Sequence, residues 1–83
     1  MNLRLVLTFK WFTEILLGTK RIEYREINDY WFQIIWRKKA EIKTVTFSRG
    51  YTNRIITYDV IKIDKGPCPY KNWDGIFYRI HFK

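Results

Sequence analysis

Eighty-three residues leave room for one hydrophobic core and a single domain spanning residues 1–83, with no space for a second. Apolar residues make up 47% of the chain and aromatic residues 19%, which excludes a disordered chain, because large rings add much contact area per residue to a small core. Sixteen Lys and Arg against eight Asp and Glu give a net charge of +8; the lone Cys excludes an internal disulfide, and one Cys with one His is too few for a Cys/His zinc site.

LRLVLTF, residues 3 to 9, alternates and predicts a first strand with Leu3, Leu5 and Leu7 on one face. The opening is too short for a membrane span and Arg4 interrupts it, so neither signal peptide nor span is expected and the cytosol is the expected compartment. From about residue 10 to 17 the period changes: Phe12, Ile15 and Leu16 fall at helical spacing, Trp11 widens the stripe, and Gly18 is placed to close the helix in the left-handed conformation. RIEYREI, residues 21 to 27, alternates again, with Ile22 and Tyr24 on an apolar face and Arg21, Glu23 and Arg25 on a charged one.

Asn28 or Asp29 can cap a second helix, DYWFQIIWRK, with Trp31, Ile34 and Ile35 as its buried stripe and Arg37, Lys38 and Lys39 in its last turn. A third strand follows over residues 43 to 51, with Val45 and Phe47 opposite Thr44, Thr46 and Ser48, broken by Arg49-Gly50. The fourth runs from about 54 to 64, the G-P-C-P segment at 66 to 69 reads as a loop, and GIFYRIHFK closes the chain as a fifth strand. The predicted order is β-α-β-α-β-β-β. Five strands laid flat would expose costly edges, so the predicted fold class is α+β, a small mixed barrel with two short helices.

The residues from Trp11 to Tyr51 resemble the ASCH domain family of the PUA-like superfamily. They carry a helix ending I-L-x-G, then K-x-I-E-x-R on a strand, a short aromatic helix, and T-F-S-R-G-Y. The resemblance implies a PUA-like barrel and a role in binding RNA or nucleotides. Some members of the family are enzymes: certain ones hydrolyse acylated cytidine with a Lys just after the helix glycine and a Thr three residues later, and others have been assigned ribonuclease activity. Lys20 matches that Lys, but Glu23 stands where the Thr would be, so the hydroxyl nucleophile is missing. Glu23 instead fits a K-x-x-E-x-R form of the motif.

Lys20, Glu23 and Arg25 are the first candidate site. Glu23 and Arg25 are neighbours on one strand face and Lys20 stands at the strand's entrance. If that face lines a hollow, Arg or Lys can donate to base carbonyls or phosphate while Glu accepts from an exocyclic amine. The same groups can serve as general acid and base. The plain alternative is a surface ion-pair network worth less than ~1 kcal/mol per pair. Ser48, Arg49 and Tyr51 form a second candidate, gripping phosphate and offering a stacking ring beside Gly50, with Arg54 and Lys43 extending a basic rim; here the alternative is a strand-end turn that needs glycine for a positive φ.

Among other aromatics, Trp31 is expected in the core, while Trp36 beside Arg37-Lys38-Lys39 is expected to be exposed, and Trp73 is open to either role. His81 and Cys68 are expected to be incidental. Charge, aromatics and resemblance together predict an RNA- or nucleotide-binding module, with single-stranded RNA foremost, and no cofactor, metal or membrane partner. The alternative is a small hydrolase acting on modified nucleosides or RNA through Lys20 and Glu23.

Overall fold

The alternating leucines form β1 (Asn2–Leu7), with Leu3, Leu5 and Leu7 all buried. The computed structural model describes residues 1–83. Helix α1 (Phe9–Leu17) follows at once and buries Phe12 and Ile15. Gly18 ends it at φ +83°, and its N–H, with those of Thr19 and Lys20, bonds to the free carbonyls of Glu14 and Ile15. A side chain at that φ is strained, so glycine is what lets the chain reverse within three residues of Lys20. Arg21 reaches back to the same helix end, donating from Nη1 to the Ile15 carbonyl at 3.1 Å, where a cation complements the helix dipole.

Strand β2 (Ile22–Glu26) leads to α2 (Asp29–Trp31), capped by the Asn28 side chain accepting from the Trp31 N–H at 2.9 Å. The expected helix does not continue as α. Residues Phe32–Trp36 widen into a π turn closed by Arg37 N–H on the Phe32 carbonyl. Ile35 is buried in the core, while Trp36 stacks on Tyr78 at 5.4 Å. The exposed Trp36 predicted from its cationic neighbours is therefore corrected: one ring face is covered by Tyr78, and Lys39 and Lys65 lie over the ring at 3.8 and 4.5 Å.

Strand β3 (Thr44–Arg49) runs parallel to β1 in the register Leu3↔Val45, Leu5↔Phe47. Strand β4 (Ile55–Pro67) is shared between two pairings. Its first part is antiparallel to β3, and after an irregularity between Val60 and Lys62 its second part pairs with β5 (Ile76–Phe82). Such a bulge bends a strand and increases its twist. The sheet order is β1-β3-β4-β5-β2, and the sheet curls into a half-barrel around Leu5, Ile15, Ile35, Val45, Phe47, Ile80 and Phe82.

One expectation changes at the end of β4. Gly66 and Pro67 belong to the strand rather than to a loop: Pro67 sits at its last position, where a missing donor is tolerated. Gly66 is buried because the Arg79 guanidinium lies across it, in the space a Cβ would take.

The half-barrel leaves β1 and β2 as its edges. They form no ladder with each other, and the Arg25 side chain spans the seam, donating from Nη2 to the Val6 carbonyl at 3.2 Å. No helix is long and apolar enough to cross a membrane.

Candidate functional site

Register decides which way the charged side of β2 points. Glu23 pairs with Ile80 and Arg25 with Tyr78, both core residues of β5. Opposed residues of an antiparallel pair share a face, so Glu23 and Arg25 point into the half-barrel. Tyr24 lies on the other face opposite Arg79, yet it is buried as well, because the β4–β5 loop folds over it. The charged face of β2 is thus the inner one, the orientation on which the first candidate site depends.

Lys20, Glu23 and Arg25 meet. Lys20 Nζ lies 3.1 Å from Glu23 Oε1, while Arg25 approaches Glu23 Oε2 with Nη2 at 2.6 Å and Nε at 3.1 Å. Lys20 and Glu23 are only 4% and 5% exposed, so each needs its partners to offset desolvation. Lys20 has more than Glu23: it donates to the Tyr70 hydroxyl at 2.8 Å and sits 4.9 to 5.3 Å from the ring centroids of Trp11, Tyr24 and Tyr70. Desolvated cation–π contacts of this kind are worth about 2 kcal/mol.

The loop after β4 builds that enclosure. Tyr70 stacks on Trp11 at 4.7 Å, and Trp73 meets both rings edge-on at 6.3 and 5.5 Å. Burial pushes the Tyr24 hydroxyl above its usual pKa, helped by Cys68 and Tyr70 nearby.

A cleft of about 390 Å³ opens along the seam, lined by Val6, Thr8, Trp11, Glu23, Arg25 and Trp73 together with Leu7, Tyr24 and Glu26. Glu23 and Arg25 line it, but Lys20 does not. The lysine stands behind Glu23 and borders a separate hollow of about 190 Å³ with Thr19, Arg21 and Tyr70. Arg25 is the cation the cleft offers. Glu23 and the Val6 carbonyl hold its Nε and Nη2, its plane lies 5.0 Å over Trp31, and Nη1 has no protein partner. Lys20 and Glu23 act on the cleft by orienting that guanidinium.

The second predicted cluster divides. Ser48 and Tyr51 line another cleft of about 280 Å³ together with Arg4, Thr46 and Thr52. Arg49 turns away, its guanidinium 4.5 Å over the Phe9 ring and its buried Nε without a partner. Its main chain closes the β3–β4 turn through Arg49 N–H to the Arg54 carbonyl, and Gly50 takes φ +60° there. Arg54 is exposed on that turn, and neither it nor Lys43 borders a cleft.

His81 bonds to Asp64 at 3.1 Å in a cluster on the outer face, with Arg79 forking onto both Asp64 oxygens at 2.8 and 2.9 Å. No group of three His, Cys, Asp or Glu side chains is placed to hold a metal ion.

Sequence reasoning missed Tyr70, Arg4 and the wall role of Trp11. Tyr70 lies in a loop with no period, Arg4 counts in sequence only as a break in an apolar run, and Trp11 reads as core stripe. No protein-family model, curated protein or solved structure matches this chain.

Proposed function

We propose that the seam cleft binds a nucleobase, and that the protein is an RNA- or nucleotide-binding module of ASCH type. The observation that carries this reading is Arg25, held at the seam by Glu23 and the Val6 carbonyl with Nη1 unpartnered, in a cleft whose wall includes the rings of Trp11 and Trp73. An oriented guanidinium donates to base carbonyl and ring-nitrogen acceptors, Glu26 can accept from an exocyclic amine, and the indoles offer stacking surface. The net charge of +8 supplies the long-range attraction a polyanion needs.

A hydrolase using Lys20 and Glu23 draws less support. Lys20 does not border the cleft, and its ammonium is engaged by Glu23 and Tyr70.

Titrating labelled single-stranded RNA at several salt concentrations, followed by anisotropy, tests the reading. Log affinity should fall linearly with log salt. Arg25→Ala should weaken binding about tenfold or more, the loss of a charge-assisted hydrogen bond from Nη1, while the far-ultraviolet spectrum stays unchanged. RNA that fails to bind at low salt overturns it.

A further inference from the structure

The two larger clefts are neighbours with opposite electrostatics. Val6 lines both: its carbonyl holds Arg25 on the seam side, and its side chain, facing outward beside Ser48, borders the other cleft. The seam cleft contains two carboxylates, Glu23 and Glu26, against the single guanidinium of Arg25. That balance suits a neutral ring with mixed donors and acceptors and disfavours a phosphate. The second cleft contains no carboxylate. Its charged group is Arg4, which makes no ion pair or side-chain hydrogen bond, and beside it the Ser48 hydroxyl is likewise unbonded.

The surrounding groups are organised. The Thr46 hydroxyl is already bonded to Asn2 and Thr57, at 3.1 and 2.7 Å, so it forms floor rather than a free donor. Thr52 donates to the Arg49 carbonyl at 2.6 Å and accepts from the Arg54 N–H, while the Gly50 N–H bonds to the Leu7 carbonyl at 2.8 Å. These bonds fix a turn that presents Tyr51, 98% exposed, at the edge of the cleft. An aromatic ring with both faces in water, carried on a fixed turn, is available for stacking.

We propose that the Arg4–Ser48–Tyr51 cleft is a phosphate-and-stacking subsite for the nucleotide next to the one in the seam, so that the ligand is a single strand crossing β1 at Val6. This deepens the nucleobase reading and rests on it. Arg4 and Val6 lie two residues apart on one strand face, about 6.6 Å, which matches a step of one nucleotide along an extended strand. A free mononucleotide reaches only the seam; a dinucleotide or longer strand spans both clefts.

The test uses uridine oligonucleotides of one, two, three and six residues, with calorimetry for the longer ligands and NMR shift titration for the mononucleotide. Wild type, Arg4→Ala, Tyr51→Ala and Arg25→Ala are compared, and thermal melts check that the exposed substitutions leave the fold intact. Wild type should gain tenfold or more in affinity from one residue to two. Arg4→Ala should weaken the hexamer about five- to tenfold, lower its salt slope by about 0.7, the share of one phosphate contact, and leave the mononucleotide unchanged. Tyr51→Ala should weaken the hexamer and spare the mononucleotide. The subsite is overturned if Arg4→Ala and Tyr51→Ala leave hexamer affinity and salt slope intact while Arg25→Ala still weakens binding. Wild-type protein that binds none of the ligands removes the nucleobase reading itself.

Discussion

Two carboxylates in this chain are each clamped by an arginine and a second basic side chain, and they do opposite work. Glu23 joins Arg25 and Lys20 inside the half-barrel, with side-chain exposures of 7% for the glutamate and 3% for the lysine. Asp64 joins Arg79 and His81 on the outside of the β4–β5 pair, with Lys62 at 3.8 Å and 30% of the aspartate side chain exposed. Water explains the difference. Outside, it solvates whatever the pair leaves unsatisfied, so the cluster is a modest cross-strand staple. Inside, each charge depends on its partners, so the trio is held to one geometry and can aim a guanidinium at the seam.

The contrast breaks first at Glu23. Glu23→Ala should lower the unfolding free energy by about 3–5 kcal/mol, because it leaves Lys20 buried without its counter-charge. The paired change Lys20→Met with Glu23→Leu should recover most of that loss, since apolar residues of similar size often replace buried ions at little cost. Urea midpoints at neutral pH measure both. A loss below about 1 kcal/mol would place Glu23 in the same class as Asp64.

Gly66→Ala sharpens the outer side of the comparison. The added Cβ meets the Arg79 guanidinium, which Asp64 holds in place and which must give way. A loss of about 1 kcal/mol is expected, a fall of roughly 4–8 °C in melting temperature for a domain this size. Combined with Asp64→Asn the effects should be less than additive, because both release the same arginine; strict additivity would mean that Arg79 was never clamped.

The smallest effect belongs to Asp64→Asn itself, about 1 kcal/mol or less at neutral pH. Hydrogen bonds from Arg79, aided by His81, hold the Asp64 carboxyl at about 2, below its ordinary 3.8. A depressed carboxylate pKa means that the unfolded chain takes up the proton first as pH falls. The contribution is therefore complete above about pH 4 and is lost as pH drops through 2. Unfolding midpoints of wild type and variant should differ at pH 7 and converge near pH 2. A gap that persists in acid would assign the effect to something other than this charge.

Local pattern carried much of the architecture. The alternation of Leu3, Leu5 and Leu7 marks β1, Gly18 marks the end of α1, and Asn28 caps α2 as its residue type suggests. The α+β class and the order of elements follow from those periods. The lapses share a cause, contact between distant residues. Trp36 reads as exposed beside three cations, yet it stacks on Tyr78, forty-two residues away. Gly66-Pro67 reads as a loop, yet pairing with β5 draws it into the ladder.

The same division runs through the site. That β2 has one ionic side, with Glu23 and Arg25 neighbours on it, was set by sequence alone, because residues two positions apart on a strand share a face. That Lys20, three positions before Glu23 and outside the strand, joins them needed the turn leading into β2. Which side of β2 faces the hollow was decided by pairing with β5, where Glu23 lies opposite Ile80. The enclosure of Lys20 by Tyr70, the bridging of the seam by Arg25, and the place of Arg4 beside Ser48 needed the curled sheet as well. A side-chain period records the environment on either side of a strand, but only the closed tertiary arrangement says which side is wet.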